Sequence, residues 1–235
     1  MTAQPNTQTS RDAEKQSAAR AAVQLVESGN IVGLGSGSTA TFAIQFLAER
    51  VRTGHKILGI PTSQATKRLA ERLGIPLTNL DENPVIDIDI DGADEIDPQL
   101  NLIKGGGGAM LREKVIASAS KRFVVVAEST KLVPHLGKFP LPVEVISFAE
   151  ALVQSRIEAL GAQVTLRKQK DGRVYVTDEG HHILDCNFRE IADPAGLNAK
   201  LHEIPGVVEH GLFIGLAEIA FVGKDESVVQ VKRPG

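Results

Sequence analysis

Tryptophan is absent from this chain, and its 235 residues hold one tyrosine, two methionines and a single cysteine. One thiol cannot form an intrachain disulfide, which fits a reducing compartment and not a disulfide-stapled scaffold. That residue, Cys186, lies in the strand-like run HHILDCNF and reads as a buried, inert thiol, not a nucleophile. Basic residues are not in excess either: 26 Lys and Arg stand against 29 Asp and Glu, a formal net charge of -3. Neither nucleic acid nor an anionic membrane is expected as a partner, because both favour a basic patch. No apolar run approaches the roughly 20 residues that span a bilayer. The first ten residues, MTAQPNTQTS, contain no apolar stretch and no arginine. They are expected to form a disordered tail, and no signal or transit peptide. The cytoplasm is the expected location.

The composition is otherwise that of a globular protein, 42% hydrophobic and 23% charged, long enough for one large domain or two small ones. The first half alternates short apolar runs with amphipathic ones. Helical spacing over 12–28 ends at Gly29, a C-cap residue. Strand 30–34, helix 40–52, strand 56–60 and helix 63–73 follow, then the alternating strand VIDIDI (85–90), a glycine-rich loop, helix 109–120 and strand 122–127. This order predicts a parallel sheet covered by helices on both faces. Near 138 the prolines of GKFPLPVEV mark a crossing segment. Beyond it, strand 142–146, helix 148–160, strands near 163–167, 173–177 and 182–187, helix 194–203 and strand 207–213 predict a split βαβ layer with one extra strand. Two final strands, EIAFVG and SVVQVKR, are placed back in the first sheet. The expected fold is therefore a Rossmann-like α/β domain, residues 11–137 and 214–235, with a smaller ferredoxin-like α+β domain, 138–213, inserted.

Three segments carry chemistry. GLGSGSTA (33–40) joins a strand to a helix, so its glycines, Ser38 and Thr39 expose N–H groups and hydroxyls at a helix N-terminus, which favours phosphate. A P-loop would need a lysine before the hydroxyl residue. A dinucleotide fold would need a carboxylate at the end of the second strand, where the chain reads GIPTS. A purely structural glycine turn remains the alternative. DIDIDGADEID (87–97) begins like a calcium loop, but the position that needs a bidentate glutamate is Pro98. Its alternation puts Asp87, Asp89 and Asp91 on one strand face. That is either a solvated edge strand or a strand end at which Asp91 and Asp94 meet a ligand. LIKGGGGAMLREK (102–114) places Lys104 before four glycines and Glu113 on the helix after them. A cation and a carboxylate across such a loop suit removal of a carbon-bound proton with stabilisation of an oxyanion. A surface lysine and a surface helical glutamate are the alternative. His181 and His182, beside Gly180, are expected to face solvent.

GSGST (35–39), DGADEID (91–97), KGGGGA (104–109), REK (112–114) and GKFPLPVEV (137–145) together resemble ribose-5-phosphate isomerase of the A type, over the chain from Lys15 to the C-terminal strands. The resemblance implies interconversion of ribose 5-phosphate and ribulose 5-phosphate in the pentose phosphate pathway, without metal or organic cofactor, in a homodimer or homotetramer. It implies Glu113 as the base between C2 and C1, and Asp91 and Asp94 at the ring oxygen and hydroxyls. Lys104 and the N–H groups of Gly105, Gly106 and Gly107 would act on the enediolate oxygen. Ser36, Gly37, Ser38 and Thr39, with Lys15 and Lys131, would hold the phosphate. Ser36 stands where many members have threonine, and the fourth glycine where some have three. Two other readings share parts of the pattern: a non-catalytic sugar-phosphate sensor, which would lack the Lys–Glu pair, and a coenzyme A transferase, which would need room for a long thioester.

Overall fold

A computed structural model describes residues 7–233. α1 (Thr7–Val23) precedes β1 (Ile31–Leu34), α2 (Ser38–Arg52), β2 (Leu58–Pro61), α3 (Gln64–Leu73) and β3 (Ile88–Gly92). The expected disordered tail over the first ten residues fails at 7–10, where α1 has already begun; the rest of that expectation, residues 1–6, lies outside the described residues. α1 also stops at Val23, short of 28. Beyond it Arg50 donates to the carbonyls of Val23 and Val26, groups that a helix end leaves free. α3 is bounded as its sequence predicts. The Ser63 hydroxyl accepts the Thr66 N–H at 3.0 Å, and Gly74 closes the helix in the left-handed region at φ 77°.

Two short strands, β4 (Glu95–Ile96) and β5 (Leu102–Ile103), separate β3 from α4 (Met110–Ala119) and β6 (Phe123–Glu128). β7 (Leu141–Val145), α5 (Glu150–Glu158), β8 (Gln163–Leu166), β9 (His182–Asn187), α6 (Pro194–His202) and β10 (Val207–His210) follow, and then β11 (Leu212–Phe213), β12 (Ile219–Lys224) and β13 (Ser227–Lys232). The main sheet has the order β13-β12-β6-β3-β1-β2, parallel except for the β12–β13 hairpin. The second sheet, β10-β7-β9-β8, is antiparallel throughout, the arrangement of a split βαβ layer. Both match the sequence reading. The extra strand at 173–177 does not form: a single bridge, Lys168 to Val174, is all the pairing there. A three-stranded sheet, β11-β5-β4, has no counterpart in the sequence reading. Its members are two residues long, too short to show a period.

β3 is a central strand buried along its length, so the solvated-edge reading of DIDID is wrong. Ile88 and Ile90 pack with Val32, Leu34, Ile44 and Leu47 in the core beneath α1 and α2. Asp89 and Asp91 point the other way, and both are fully buried. Glycines on β1 and just beyond it make that possible. A Cβ on Gly33 would stand 2.6 Å from Asp89 Oδ1, and one on Gly35 would stand 2.3 Å from Asp91 Oδ1 and 2.5 Å from Asp91 Cα. The second contact is with backbone and cannot relax by rotation. Gly35→Ala is therefore expected to cost about 1–3 kcal/mol, read as a lower Tm in a calorimetric scan. An unchanged Tm would mean that the two strands separate easily.

Candidate active site

The strand order of the main sheet reverses between β1 and β3, and open α/β sheets bind ligands outside the carboxyl ends of the strands at such a point. The loop after β1 carries Ser36 to Thr39, and the end of β3 carries Asp91 to Asp94. A cavity of about 200 Å³ opens there. Lys15, Lys104 and Lys131 line it with Asp94, Glu113 and Glu128, and Ser36, Ser38 and Thr39 lie along the same wall. Gly37 and Gly105 to Gly107 complete the wall. Drug-sized ligands occupy pockets of roughly 300–1,000 Å³, so this volume fits a small, polar metabolite. A larger groove of about 850 Å³ lies between α3 and α4, but none of the buried charged groups opens into it.

Lys104 is the centre of the charge network. Its Nζ donates to Gly92 O at 2.5 Å and lies 2.9 Å from Asp91 Oδ2 and 3.3 Å from Glu113 Oε2. All three side chains are buried. Burial weakens the hold of Lys104 on its proton, but Asp91 and Glu113 more than offset this and hold the ammonium charged well above its usual range. Glu113 sits in the first turn of α4, and burial pushes its carboxyl up to about 8 against the pull of Lys104. Burial raises Asp91 as well, again opposed by Lys104. Asp89 is raised further still, by burial and by the neighbouring Asp91; among the described residues neither of its oxygens has a hydrogen-bond partner. A site holding a fixed cation beside a carboxyl that titrates near neutral pH is equipped to move protons.

Asp91 does not line the cavity. Its Oδ1 accepts the N–H groups of Ser36 at 2.9 Å and Gly92 at 2.6 Å, so it acts on the cavity through Lys104 and the loop. Asp94 does line it, and its Oδ2 accepts the Gly106 N–H at 2.8 Å. Ser36 is turned inward, its Oγ within 2.8 Å of the Thr62 and Ser63 hydroxyls and 3.0 Å of that of Thr66. Its N–H and its hydroxyl are thereby both engaged. Ser38 and Thr39 open α2, whose first turn carries no acidic side chain. Lys15 reaches the cavity because Glu14, its neighbour on α1, accepts the N–H and hydroxyl of Ser129 at 2.9 and 2.8 Å, tying the helix to the turn that bears Lys131.

The sequence reading missed Glu128, the last residue of β6. Its place at a parallel strand's carboxyl end was the available signal. His181 and His182 do not face solvent freely. Both are half-buried, with Nδ1 3.0 Å from Glu144 Oε1 and 2.6 Å from Glu150 Oε2. Cys186 is fully buried, and burial pushes its thiol up, away from reactivity. Among the described residues one group could gather metal ligands: His202, Glu209 and His210 in the split βαβ layer. It fits a metal poorly. Lys114 Nζ already occupies Glu209 at 2.6 Å, and His210 Nδ1 accepts the Leu212 N–H, which leaves the hydrogen of a neutral ring on the nitrogen facing the cluster.

The family model for ribose 5-phosphate isomerase A (phosphoriboisomerase A) matches residues 58–227. A ribose-5-phosphate isomerase A of Roseiflexus sp. (strain RS-1) is 52% identical over 223 residues, 94% of this chain and 96% of that one. The solved ribose 5-phosphate isomerase A of Methanocaldococcus jannaschii superposes with a TM-score of 0.89 at 41% identity, covering 93% of this chain and 97% of that one. A D-ribose-5-phosphate isomerase solved in complex with phospho-erythronic acid gives 0.92 at 38% identity, covering 95% and 99%. This chain belongs to the ribose 5-phosphate isomerase A family.

Proposed function

We infer that the chain interconverts D-ribose 5-phosphate and D-ribulose 5-phosphate, with Glu113 as the base and Lys104 as the fixed positive charge. The observation that carries the reading is the buried Glu113–Lys104 contact of 3.3 Å on the wall of a metabolite-sized cavity. Glu113, ionised, takes the proton from C2 of the open-chain aldose. The negative charge that forms on the C1 oxygen falls to the Lys104 ammonium and the N–H groups of the glycine loop. Glu113 then returns the proton to C1, and the O2 proton passes to O1, giving the ketose. Asp94, which lines the cavity, is placed for the sugar hydroxyls and for ring opening. Asp91 serves behind it by holding Lys104. The phosphate is assigned to the first turn of α2 with Ser38, Thr39, Lys15 and Lys131, where helix N–H groups and two ammonium groups converge. Ser36 braces that loop. The relative bound to phospho-erythronic acid supports a phosphorylated sugar acid as a ligand here too.

Neither alternative is favoured. A sensor has no use for a buried base and ammonium, and the relatives that match this chain along its length are isomerases, not coenzyme A transferases. The domain division proposed is 11–137 with 214–235 against 138–213, supported by β7 to β10 pairing only with one another. Among the described residues no helix is long and apolar enough to cross a membrane. A cytoplasmic homodimer or homotetramer is proposed, supported by the single thiol and the family resemblance. The test is direct: purified protein mixed with ribose 5-phosphate in excess chelator should form ketose at an undiminished rate. No ketose formation would remove the isomerase reading, and a chelator-sensitive rate restored by a divalent ion would remove the metal-free one.

A further inference from the structure

The glycine loop is gripped from the split βαβ layer. Arg167, which follows β8, forks its guanidinium: Nε and Nη2 donate to Asp185 at 2.9 and 2.5 Å, and Nη1 donates to Gly105 O at 3.0 Å and Gly106 O at 3.2 Å. Tyr175 Oη adds a third hold, 3.2 Å from Gly107 O. Three successive carbonyls of the loop thus point toward one layer. In a trans peptide the N–H points opposite to the preceding C=O, and the described chain has no cis peptide. Pinning Gly105 O therefore turns the Gly106 N–H the other way, and it is found on Asp94 Oδ2 at the cavity wall. Pinning Gly106 O turns the Gly107 N–H the same way, and among the described residues that N–H has no acceptor. The Gly108 N–H, 2.9 Å from Gly105 O, closes a turn around the same peptide, and no side chain packs on it from the other side, since a Cβ added at Gly107 would meet no atom within 4 Å.

We propose that Arg167, oriented by Asp185, is a positioning residue for the reaction: it holds the carbonyls of Gly105 and Gly106 so that the Gly107 N–H faces the cavity as a donor to the enediolate oxygen. The proposal rests on the isomerase reading above and extends it to a part of the chain that touches no substrate. Bidentate pairing with Asp185 gives the guanidinium one orientation, which a lysine in its place could not adopt.

The test compares Arg167→Met, Asp185→Asn and the double variant. In Arg167→Met, kcat should fall about 10²-fold, the size of losing one oxyanion donor, while KM stays within about threefold because the phosphate anchor is untouched. Inhibition by inorganic phosphate should be unchanged, whereas phospho-erythronic acid, with a carboxylate near the enediolate position, should bind more weakly by a factor similar to the loss in kcat. Asp185→Asn, nearly isosteric, should reproduce the pattern, and the double variant should be no worse than the worse single one. A folded Arg167→Met or Asp185→Asn with kcat near wild type, a loss confined to KM, or additive losses would overturn the proposal. The Gly107 amide resonance separates it from the isomerase reading. It should shift when phospho-erythronic acid is added to wild type and stay still in Arg167→Met, whether or not wild type turns over ribose 5-phosphate.

Discussion

Glu113→Gln is expected to fold, to keep its affinity for inorganic phosphate and to lose at least about 10²-fold in kcat, the lower end of what a positioned base contributes. Glutamine matches the shape of the protonated side chain, so the cavity is preserved and only the proton acceptor is lost. In wild type, kcat/KM should fall as pH drops below about 8, where burial places the Glu113 carboxyl, because only its ionised form can accept a proton. That acid limb should be missing from whatever activity Glu113→Gln retains. Stability should move in the opposite direction. Between the ordinary value of 4.5 and about 8 the folded protein holds a proton on Glu113 that the unfolded chain has lost. Rising pH through that window therefore costs stability. Glutamine carries no such penalty, so at pH 8 the variant should melt at least about 2 °C above wild type. A variant with near-native kcat would remove Glu113 as the base, and one that melts lower at pH 8 would contradict its buried, reluctantly ionised state.

Lys104→Met should damage both stability and turnover. The ammonium stands between Asp91 and Glu113, whose side chains are 0% and 5% exposed. Removing it leaves the buried Asp91 carboxyl without its counter-ion, and breaking such a pair costs about 3–5 kcal/mol. In a chain of this size that lowers Tm by roughly 6–20 °C. In the proposed mechanism the same ammonium stabilises the oxygen on which charge develops, so kcat should fall by about 10²–10³. Because Lys104 pulls the Glu113 carboxyl down, the acid limb of kcat/KM should also move to higher pH. Differential scanning calorimetry and a pH–rate series read the two effects separately. A variant with wild-type turnover would show that the enediolate is stabilised elsewhere.

Much of this was legible in the residues themselves. Lys104 and Glu113 were marked by the four glycines between a strand and a helix, and Ser38 and Thr39 by a strand–helix junction without a nearby carboxylate. The architecture of both sheets followed from alternation of periods. The chain's own pattern misleads where burial is decided by a distant segment. Asp89 and Asp91 look like a solvated face, because nothing in DIDID reveals that Gly33 and Gly35, more than 50 residues earlier, vacate the space for them. Tyr175 looks like part of a strand in RVYVT, yet its backbone pairs only at an isolated bridge beyond β8, its N–H on Arg167 O, and its hydroxyl donates to the glycine loop. Arg167 resembles any surface arginine until Gly105 and Gly106 are brought to it across some 60 residues. Long-range packing of this kind leaves no period in a sequence.

Proton exchange tests the central claim most directly. Ribose 5-phosphate equilibrated with the wild-type protein in D2O should acquire deuterium at C2, and the ribulose 5-phosphate formed should carry it at C1, followed by proton NMR. Over the many turnovers of an equilibrated mixture, exchange of the carboxyl proton with solvent competes with its return to carbon, so deuterium accumulates. Glu113→Gln should show the same exchange slowed by at least about 10²-fold. Deuterium uptake and ketose formation undiminished in Glu113→Gln would contradict proton transfer through Glu113.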